Sequence, residues 1–90
     1  MKKLKPSSQY KKDYKKFRYD PKKVAKLFHI LSLLKNEQPI PEENRPHHLV
    51  GKYAGYMECH IEGDFLLIWS DPDTDEITLV RLGSHSELFG

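Results

Sequence analysis

The hydrophobic period of the chain changes once, from about 3.6 residues to two, and this change limits the possible folds most. Up to residue 35 the apolar residues recur at helical spacing, and from residue 55 they alternate with polar residues as in a strand. Residues 36–46 hold three prolines and no periodicity, which predicts a loop. Helices followed by strands in 90 residues predict one α+β domain, residues 1–90, with a small, mainly antiparallel twisted sheet.

Two amphipathic helices are expected in the first part. Serine at position 7 or 8 can cap a first helix, and Asp20 followed by Pro21 is typical of the start of a second. The apolar stripe of the first helix comprises Tyr10, Tyr14 and Phe17. The buried face of the second is predicted to comprise Val24, Leu27, Phe28, Leu31 and Leu34. We therefore expect an N-terminal helical hairpin, and any strand in residues 1–7 is confined to an edge by Pro6.

The alternating part predicts three strands, at residues 56–62, 65–69 and 77–82. Gly63 and Asp64 suit a two-residue hairpin turn, residues 71–76 form a turn-rich connector, and residues 84–90 form a short tail. Pairing across this turn predicts an apolar face that lies on the helices. Its members in the first two strands are Met57, Cys59, Ile61, Leu66 and Ile68, joined by Val80 and Leu82.

The same register predicts a row of His60, Leu67 and Arg81 on the open face, which His85 can reach from beyond the last strand. Two imidazoles beside a guanidinium suit RNA cleavage without a metal ion. One group takes the proton of the ribose 2′-hydroxyl, another protonates the departing 5′-oxygen, and arginine offsets the transition-state charge. The alternatives are solvated surface histidines and an Arg81 paired with an acid, Glu58 or Glu62.

A metal site is not expected. His47 and His48 together with His60 could bind a transition metal ion, but no carboxylate or cysteine lies at a recognisable ligand spacing. Cys59 and His60 are neighbours in a strand, so their side chains point to opposite faces. We expect no cofactor, and Cys59 is interpreted as a small buried apolar residue.

The charge is divided between the two parts of the chain. Residues 1–35 carry a net charge of +10 and residues 36–90 a net charge of −8. The basic part predicts either a polyanionic or acidic protein partner, or a solvated lysine-rich surface. The sequence also predicts a cytoplasmic protein that does not associate with membranes. It has a single cysteine, no apolar run long enough to span a bilayer and no apolar stretch after the first lysines.

Four short motifs follow one another in the second half of the chain. They are H-x-L-x-G at 47–51, E-C-H-I at 58–61, D-x-x-L-I at 64–68 and R-x-G-S-H-x-x-L-F at 81–89. In this order they resemble the YafQ branch of the RelE toxin superfamily, closely over residues 45–90 and weakly in the helices. The resemblance implies a RelE-like toxin fold and a ribonuclease of a type II toxin–antitoxin pair that enters the ribosomal A site and cuts mRNA.

The resemblance also implies roles for particular residues. The catalytic set is expected at His60, Asp64, Arg81 and His85. The residues expected to contact RNA are His47, Phe89, Lys11, Lys12, Lys15 and Lys16, the lysines on ribosomal RNA. For Phe89 the alternative is a buried plug that fixes the tail, and for Asp64 it is turn formation alone.

The expected partners are a cognate antitoxin in a heterotetramer, the ribosome with its mRNA, and operator DNA only through the antitoxin. The antitoxin is expected to supply an acidic or amphipathic segment. Two other functions stay open. The same scaffold can be a non-catalytic module that binds RNA or an antitoxin, or a ribonuclease that needs no ribosome.

Overall fold

The structure, a computed structural model, describes residues 1–72 and 74–90, and these residues form three α-helices and a five-stranded mixed sheet. The elements are β1 (Lys3–Pro6), α1 (Ser8–Lys15), α2 (Pro21–Lys35), β2 (His47–His48), β3 (Met57–Glu62), β4 (Phe65–Ser70), β5 (Glu76–Gly83) and α3 (His85–Phe89). The strand order is β1-β5-β4-β3-β2, with β1 parallel to β5 and the other pairs antiparallel. The predicted α+β class is confirmed.

The N-terminal helical hairpin is not confirmed, because the sheet begins before the helices. Strand β1 pairs with β5 at the edge, and Pro6 lies at its end, as the sequence predicts for any strand there. Helix α1 packs mainly against β5 and α2 mainly against β3. Both helix starts are as predicted: the Ser7 side chain accepts the Tyr10 N–H, and the Asp20 side chain accepts the Lys23 N–H.

The main core lies between the helices and one face of the sheet. Helix α2 contributes Leu27, Ile30 and Leu34 to this core. Phe28 was predicted to be buried, but 53% of it is exposed. The buried positions of α2 recur at spacings of three and four residues, and Phe28 lies to one side of them, where its ring meets Tyr14 at 6.5 Å. The helix layer therefore leaves an apolar side chain uncovered.

The hairpin turn is confirmed, but the predicted register is not. Glu62 faces Phe65 across the turn, and Gly63 has the positive φ of 50° that such a turn needs. An irregularity between His60 and Glu62 then shifts the pairing, so that His60 faces Leu66. The predicted row of His60, Leu67 and Arg81 is therefore wrong. The bulge turns Leu67 into the main core, whereas His60 faces Leu66 and Arg81 faces Ile68.

A second irregularity lies between β4 and β5. Ile68 faces Arg81 while the next residue, Trp69, faces Leu79, so Val80 is an extra residue in β5. Leu66, Ile68 and Val80 consequently leave the helix-covered face on which the sequence placed them. They form a second apolar cluster on the other face, with Tyr53 and Leu88.

This second face of the sheet carries the last residues of the chain. The predicted short tail is helix α3, whose N-cap is Ser84. Strand β4 is thus buried on both faces, by α1 and α2 on one side and by α3 and the 51–53 turn on the other. The connector predicted at 71–76 contains Asp73, which lies outside the described residues. Within the described ranges, no helix has the length and apolar character needed to cross a bilayer.

Candidate active site

Two imidazoles meet on the second face of the sheet. His60 projects from β3 and His85 from the first turn of α3, and their ring centroids are 5.7 Å apart. The Nδ1 of His60 lies 3.2 Å from the carbonyl oxygen of Gly63, and the Nδ1 of His85 lies 2.9 Å from Asp64 Oδ1. Because both oxygens are acceptors, each Nδ1 carries the hydrogen and each Nε2 is left for proton exchange.

Asp64 holds His85 twice through one oxygen. Its Oδ1 accepts the backbone N–H of His85 at 3.0 Å and the imidazole Nδ1–H at 2.9 Å. The first of these bonds, and then the second, lower the pKa of Asp64 against a small opposing effect of desolvation. The carboxylate is thus a charged acceptor that joins the hairpin turn to the start of α3. Turn formation alone does not account for these contacts.

Arg81 does not pair with Glu58 or Glu62. Its Nε and Nη2 donate to the two carboxylate oxygens of Asp13, at 2.8 and 3.3 Å, and its Nη1 donates to the hydroxyl of Tyr53 at 3.3 Å. Sequence reasoning missed Asp13, which is 1% exposed. The signal was there, because Asp13 lies three residues after Tyr10, near the apolar stripe of an otherwise lysine-rich helix.

The buried Asp13 remains ionised. Burial raises the pKa of this carboxyl, but hydrogen bonds from Arg81, from the Leu82 amide and from Gln9 outweigh that effect, and the pKa lies below its ordinary value. The hydrogen bond to Asp13 in turn raises the pKa of Arg81, so both partners stay charged. This ion pair joins α1 to β5.

Tyr53 connects Arg81 to the helix that carries His85, and sequence reasoning missed this residue too. Its hydroxyl donates to the carbonyl oxygen of Leu88 at 3.3 Å, and its ring meets that of Phe89 edge-on at 5.6 Å. The Phe89 ring lies 5.8 Å from that of His85. Of the consecutive residues Leu88 and Phe89, Leu88 is buried, with 2% of it exposed, whereas Phe89 is 44% exposed and available for stacking.

Glu58 is a buried carboxylate beside the imidazoles. It is 2% exposed, and its Oε1 lies 3.3 Å from His47 Nε2 and 3.9 Å from His60 Nε2. Its Oε2 has no hydrogen-bond partner among the described residues. One ligand atom from each of Glu58, His60 and His85 lies within 4.8 Å of the others, which suits a metal ion. The ligand spacing did not reveal this set, because its third member comes from a different element.

The four lysines predicted to contact RNA lie on α1 or at its C-cap and have different neighbours. Lys16 pairs with Glu87 of α3 at 3.2 Å, and Lys12 is exposed on α1. Lys11 and Lys15, together with Arg18, line an apolar groove of about 570 Å³ between α1, α2 and β1. The apolar residues of this groove, called the helix groove below, are Leu4, Pro6, Tyr10, Tyr14, Phe28, Leu31 and Leu79.

Cys59 belongs neither to the cluster of His60 and His85 nor to the helix groove. It is fully buried in the main core, and burial raises the pKa of its thiol to about 12. A thiol in this state is neither a nucleophile nor a metal ligand at neutral pH. The interpretation of Cys59 as a packed apolar residue is confirmed.

Comparison with known proteins gives one family over almost the whole chain. A family model described as "Bacterial toxin of type II toxin-antitoxin system, YafQ" matches residues 2–90. The mRNA interferase toxin YafQ of Escherichia coli K12 is 36% identical over 85 residues, which is 93% of this chain and 91% of that protein. The putative toxin YafQ of Haemophilus influenzae is 38% identical over 66 residues, 70% of this chain and 65% of that protein.

Solved structures with the same fold include free and antitoxin-bound toxins. A copper-bound mutant toxin from Helicobacter pylori has a TM-score of 0.89 and 36% identity, covering 99% of this chain and 100% of that one. A metal-bound toxin from the same organism has a TM-score of 0.88 and 33% identity over the same shares. The E. coli DinJ–YafQ complex matches with a TM-score of 0.86 and 32% identity, covering 100% of both chains.

Proposed function

The chain belongs to the YafQ family of toxins from bacterial type II toxin–antitoxin systems, and we propose that it stops translation by cutting mRNA in the ribosomal A site. The observation that carries this proposal is the contact between the rings of His60 and His85, each with its Nδ1 hydrogen bonded and its Nε2 left for proton exchange. Two such groups on one scissile linkage are what metal-free RNA cleavage requires.

In the proposed reaction one imidazole takes the proton of the ribose 2′-hydroxyl, whose oxygen attacks the adjacent phosphorus. The other protonates the departing 5′-oxygen, which leaves a 2′,3′-cyclic phosphate and a 5′-hydroxyl; attack of water on the cyclic phosphate then gives a 3′-phosphate. Arg81 offsets the negative charge that develops on the phosphate oxygens. Either histidine can serve as the base in this scheme, although the two rings differ in their acids: His60 Nε2 lies 3.9 Å from Glu58 Oε1, whereas His85 is held by Asp64 through its Nδ1.

The neighbouring side chains orient these groups and the RNA. Asp64 fixes the His85 ring and stabilises it when it becomes positively charged, as the carboxylate of a catalytic triad does for its histidine. The exposed ring of Phe89 stacks on a base or ribose next to the cut. His47, held by the Arg45 carbonyl at 2.7 Å, steadies the RNA backbone.

The decisive experiment compares induced expression of the wild type with that of His85→Ala. We expect the wild type to stop growth and to produce new mRNA 5′-ends within translated codons, and His85→Ala to do neither. His48→Ala is the matched control, because His48 is an exposed histidine on β2 that is not a member of the cluster. Equal toxicity of the wild type and His85→Ala contradicts catalysis by this cluster and supports a non-catalytic binding module.

The need for a ribosome is tested separately. Purified protein is incubated with one mRNA, first naked and then in the A site of a programmed ribosome. The proposal expects cleavage only on the ribosome, where the basic surface of residues 1–35 contacts ribosomal RNA. Equal rates on both substrates identify a ribonuclease that needs no ribosome.

The proposed partner is a cognate antitoxin, as in the DinJ–YafQ complexes, and the helix groove is its proposed binding surface. The groove has an apolar floor and three basic residues in its lining, Lys11, Lys15 and Arg18. These features fit an acidic amphipathic segment better than they fit nucleic acid, which offers no apolar side chains. We propose a heterotetramer in the cytoplasm that reaches operator DNA only through the antitoxin.

A second function, binding of a transition metal ion, is favoured by Glu58. A buried carboxylate oxygen without a hydrogen-bond partner is costly unless a cation approaches it. We propose that Cu²⁺ or Zn²⁺ binds to Glu58, His60 and His85, since copper-bound and metal-bound relatives share this fold. Because the ion occupies the imidazole nitrogens that exchange protons, it is expected to inhibit cleavage.

Calorimetric titration with Cu²⁺ tests the metal site. The wild type is expected to bind one ion, and Glu58→Gln is expected to bind it at least about tenfold more weakly. His48→Ala is again the control. Cleavage is expected to fall when Cu²⁺ is added and to recover with EDTA. Stimulation of cleavage by the ion would contradict the inhibitory role.

A further inference from the structure

We propose that Asp13 is the positioning residue for Arg81, which makes a buried acid of the lysine-rich helix part of the catalytic apparatus. The inference rests on the proposed function, because it takes the role of Arg81 at the scissile phosphate from there. Asp13 does not touch RNA in this proposal. It acts by holding the guanidinium in one orientation.

Both carboxylate oxygens of Asp13 accept hydrogen bonds from the protein. Its Oδ2 accepts Arg81 Nε–H at 2.8 Å and the backbone N–H of Leu82 at 2.9 Å. Its Oδ1 accepts Arg81 Nη2–H at 3.3 Å and the Gln9 amide at 3.1 Å. An asparagine has one acceptor oxygen and a donor amide, so it cannot replace this pattern.

The site lies where β5 departs from regular pairing. Val80 is the extra residue of the bulge, Arg81 follows it, and the Leu82 N–H is the group that Asp13 accepts. A bulge redirects the side chains around it. By binding both the backbone after the bulge and the side chain of Arg81, Asp13 fixes the direction in which this arginine leaves the strand.

We assign the remaining donors of Arg81 to substrate, since the side chain is 19% exposed and no other acceptor for it is found among the described residues. A guanidinium has five N–H groups, and Asp13 and Tyr53 accept three of them. The other two can bind the oxygens of one phosphate, in the paired manner that arginine favours. Tyr53 supports this arrangement from the other side, because its hydroxyl is itself fixed by the Leu88 carbonyl. An arginine held at three N–H groups before RNA arrives needs no reorganisation in the transition state.

The test measures single-turnover cleavage on programmed ribosomes with the full chain. We expect Asp13→Asn to lower the maximal rate by about tenfold or more while the half-saturating ribosome concentration changes little. Glu42→Gln, a change at an exposed acid, is the control that keeps the wild-type rate. Asp13→Glu, which keeps both acceptor oxygens, is expected to recover part of the rate.

A double mutant separates positioning from a loss of stability. In an Arg81→Ala background Asp13 is a buried carboxylate without its cation, so Asp13→Asn is not expected to lower the thermal midpoint further. It is also not expected to slow cleavage further, because its effect passes through Arg81. A wild-type rate for Asp13→Asn alone, or an equal further fall in the Arg81→Ala background, overturns the proposal.

The Arg81 Nε–H resonance provides a readout that does not depend on activity. In the wild type this proton is expected to be observed in a ¹⁵N-correlated spectrum at neutral pH, and in Asp13→Asn it is expected to shift and to exchange rapidly with water. A resonance that Asp13→Asn leaves unchanged overturns the proposal. A wild type that cleaves no mRNA is a different result: it contradicts the proposed function, and the spectrum still reports whether Asp13 holds the guanidinium.

Discussion

At the scale of single residues, the candidate site depends on acids that hold basic groups in place. Asp64 holds His85, Asp13 holds Arg81, and Glu58 lies between His47 and His60. The basic groups could be predicted from the sequence, because the residue types histidine and arginine by themselves indicate proton transfer and anion binding. Among the acids only Asp64 was expected in the site, as the resemblance to the toxin family implied, since the partner of a side chain depends on which elements pack together.

The Asp64→Asn variant tests the first of these pairs. The amide of asparagine can place a donor toward the His85 Nδ1–H, so the ring loses its fixed orientation and its electrostatic support. We expect the rate of mRNA cleavage to fall by about tenfold or more, with a far-ultraviolet CD spectrum like that of the wild type. Asp75→Asn changes an exposed acid outside the cluster and serves as the control. Full activity of Asp64→Asn would leave Asp64 with a role in the turn only.

The second pair predicts an acid-sensitive fold. Because the pKa of Asp13 is depressed below its ordinary value of 3.8 in the folded state, this carboxylate contributes stability above pH 3.8. The contribution is lost as the pH falls from there through the folded-state pKa. Urea unfolding at pH 7 and at about pH 3 should therefore show a smaller loss of stability for Asp13→Asn than for the wild type. Equal losses would mean that Asp13 does not titrate with unfolding.

At the scale of elements, the two β-bulges mark the limit of sequence reasoning. The alternation of Met57, Cys59 and Ile61 predicted β3, and the Gly63 turn was placed correctly. Periodicity cannot report an extra residue, because Leu66, Leu67 and Ile68 are all apolar and suit either face of β4. The wrong row followed from this ambiguity. His85 was nevertheless expected near His60, and their rings are in contact.

Helix α3 has a buried residue, Leu88, next to the partly exposed Phe89, which is proposed to contact RNA. Leu88→Ala should lower the free energy of unfolding by about 2–5 kcal/mol, because it leaves a cavity in the second apolar cluster. Phe89→Ala should cost about 1 kcal/mol or less and still slow mRNA cleavage, since the ring is partly exposed beside His85. Chemical denaturation of both variants measures the change in stability, and cleavage assays on both measure the change in activity. A large stability loss for Phe89→Ala would support the buried-plug alternative.

At the scale of the whole molecule, the proposed catalytic cluster and the helix groove lie on opposite sides of the sheet. His60 and His85 project on the side of α3, whereas the groove is formed by α1, α2 and the edge strand β1. An antitoxin segment in the groove would therefore leave the imidazoles uncovered. Under the proposed function, inhibition would then come from the bulk of the complex, which is expected to block entry into the ribosomal A site.

Phe28→Asp tests the groove as the antitoxin surface. It places a like charge opposite an acidic segment and removes the exposed ring, so the affinity for the cognate antitoxin should fall at least about tenfold. Val50→Asp is the matched control, because Val50 is an exposed apolar residue outside the groove. Calorimetry with purified antitoxin measures both variants. Unchanged affinity of Phe28→Asp would exclude the groove.

The buried thiol of Cys59 can be used to measure how often the native protein unfolds. Since this thiol is fully buried and its pKa is raised to about 12, iodoacetamide can modify it only in molecules that have transiently unfolded. The chain has no other cysteine to compete for the reagent. The alkylation rate, followed by mass spectrometry, should therefore count unfolding events without an engineered label. Any ligand that binds the native fold should lower this alkylation rate.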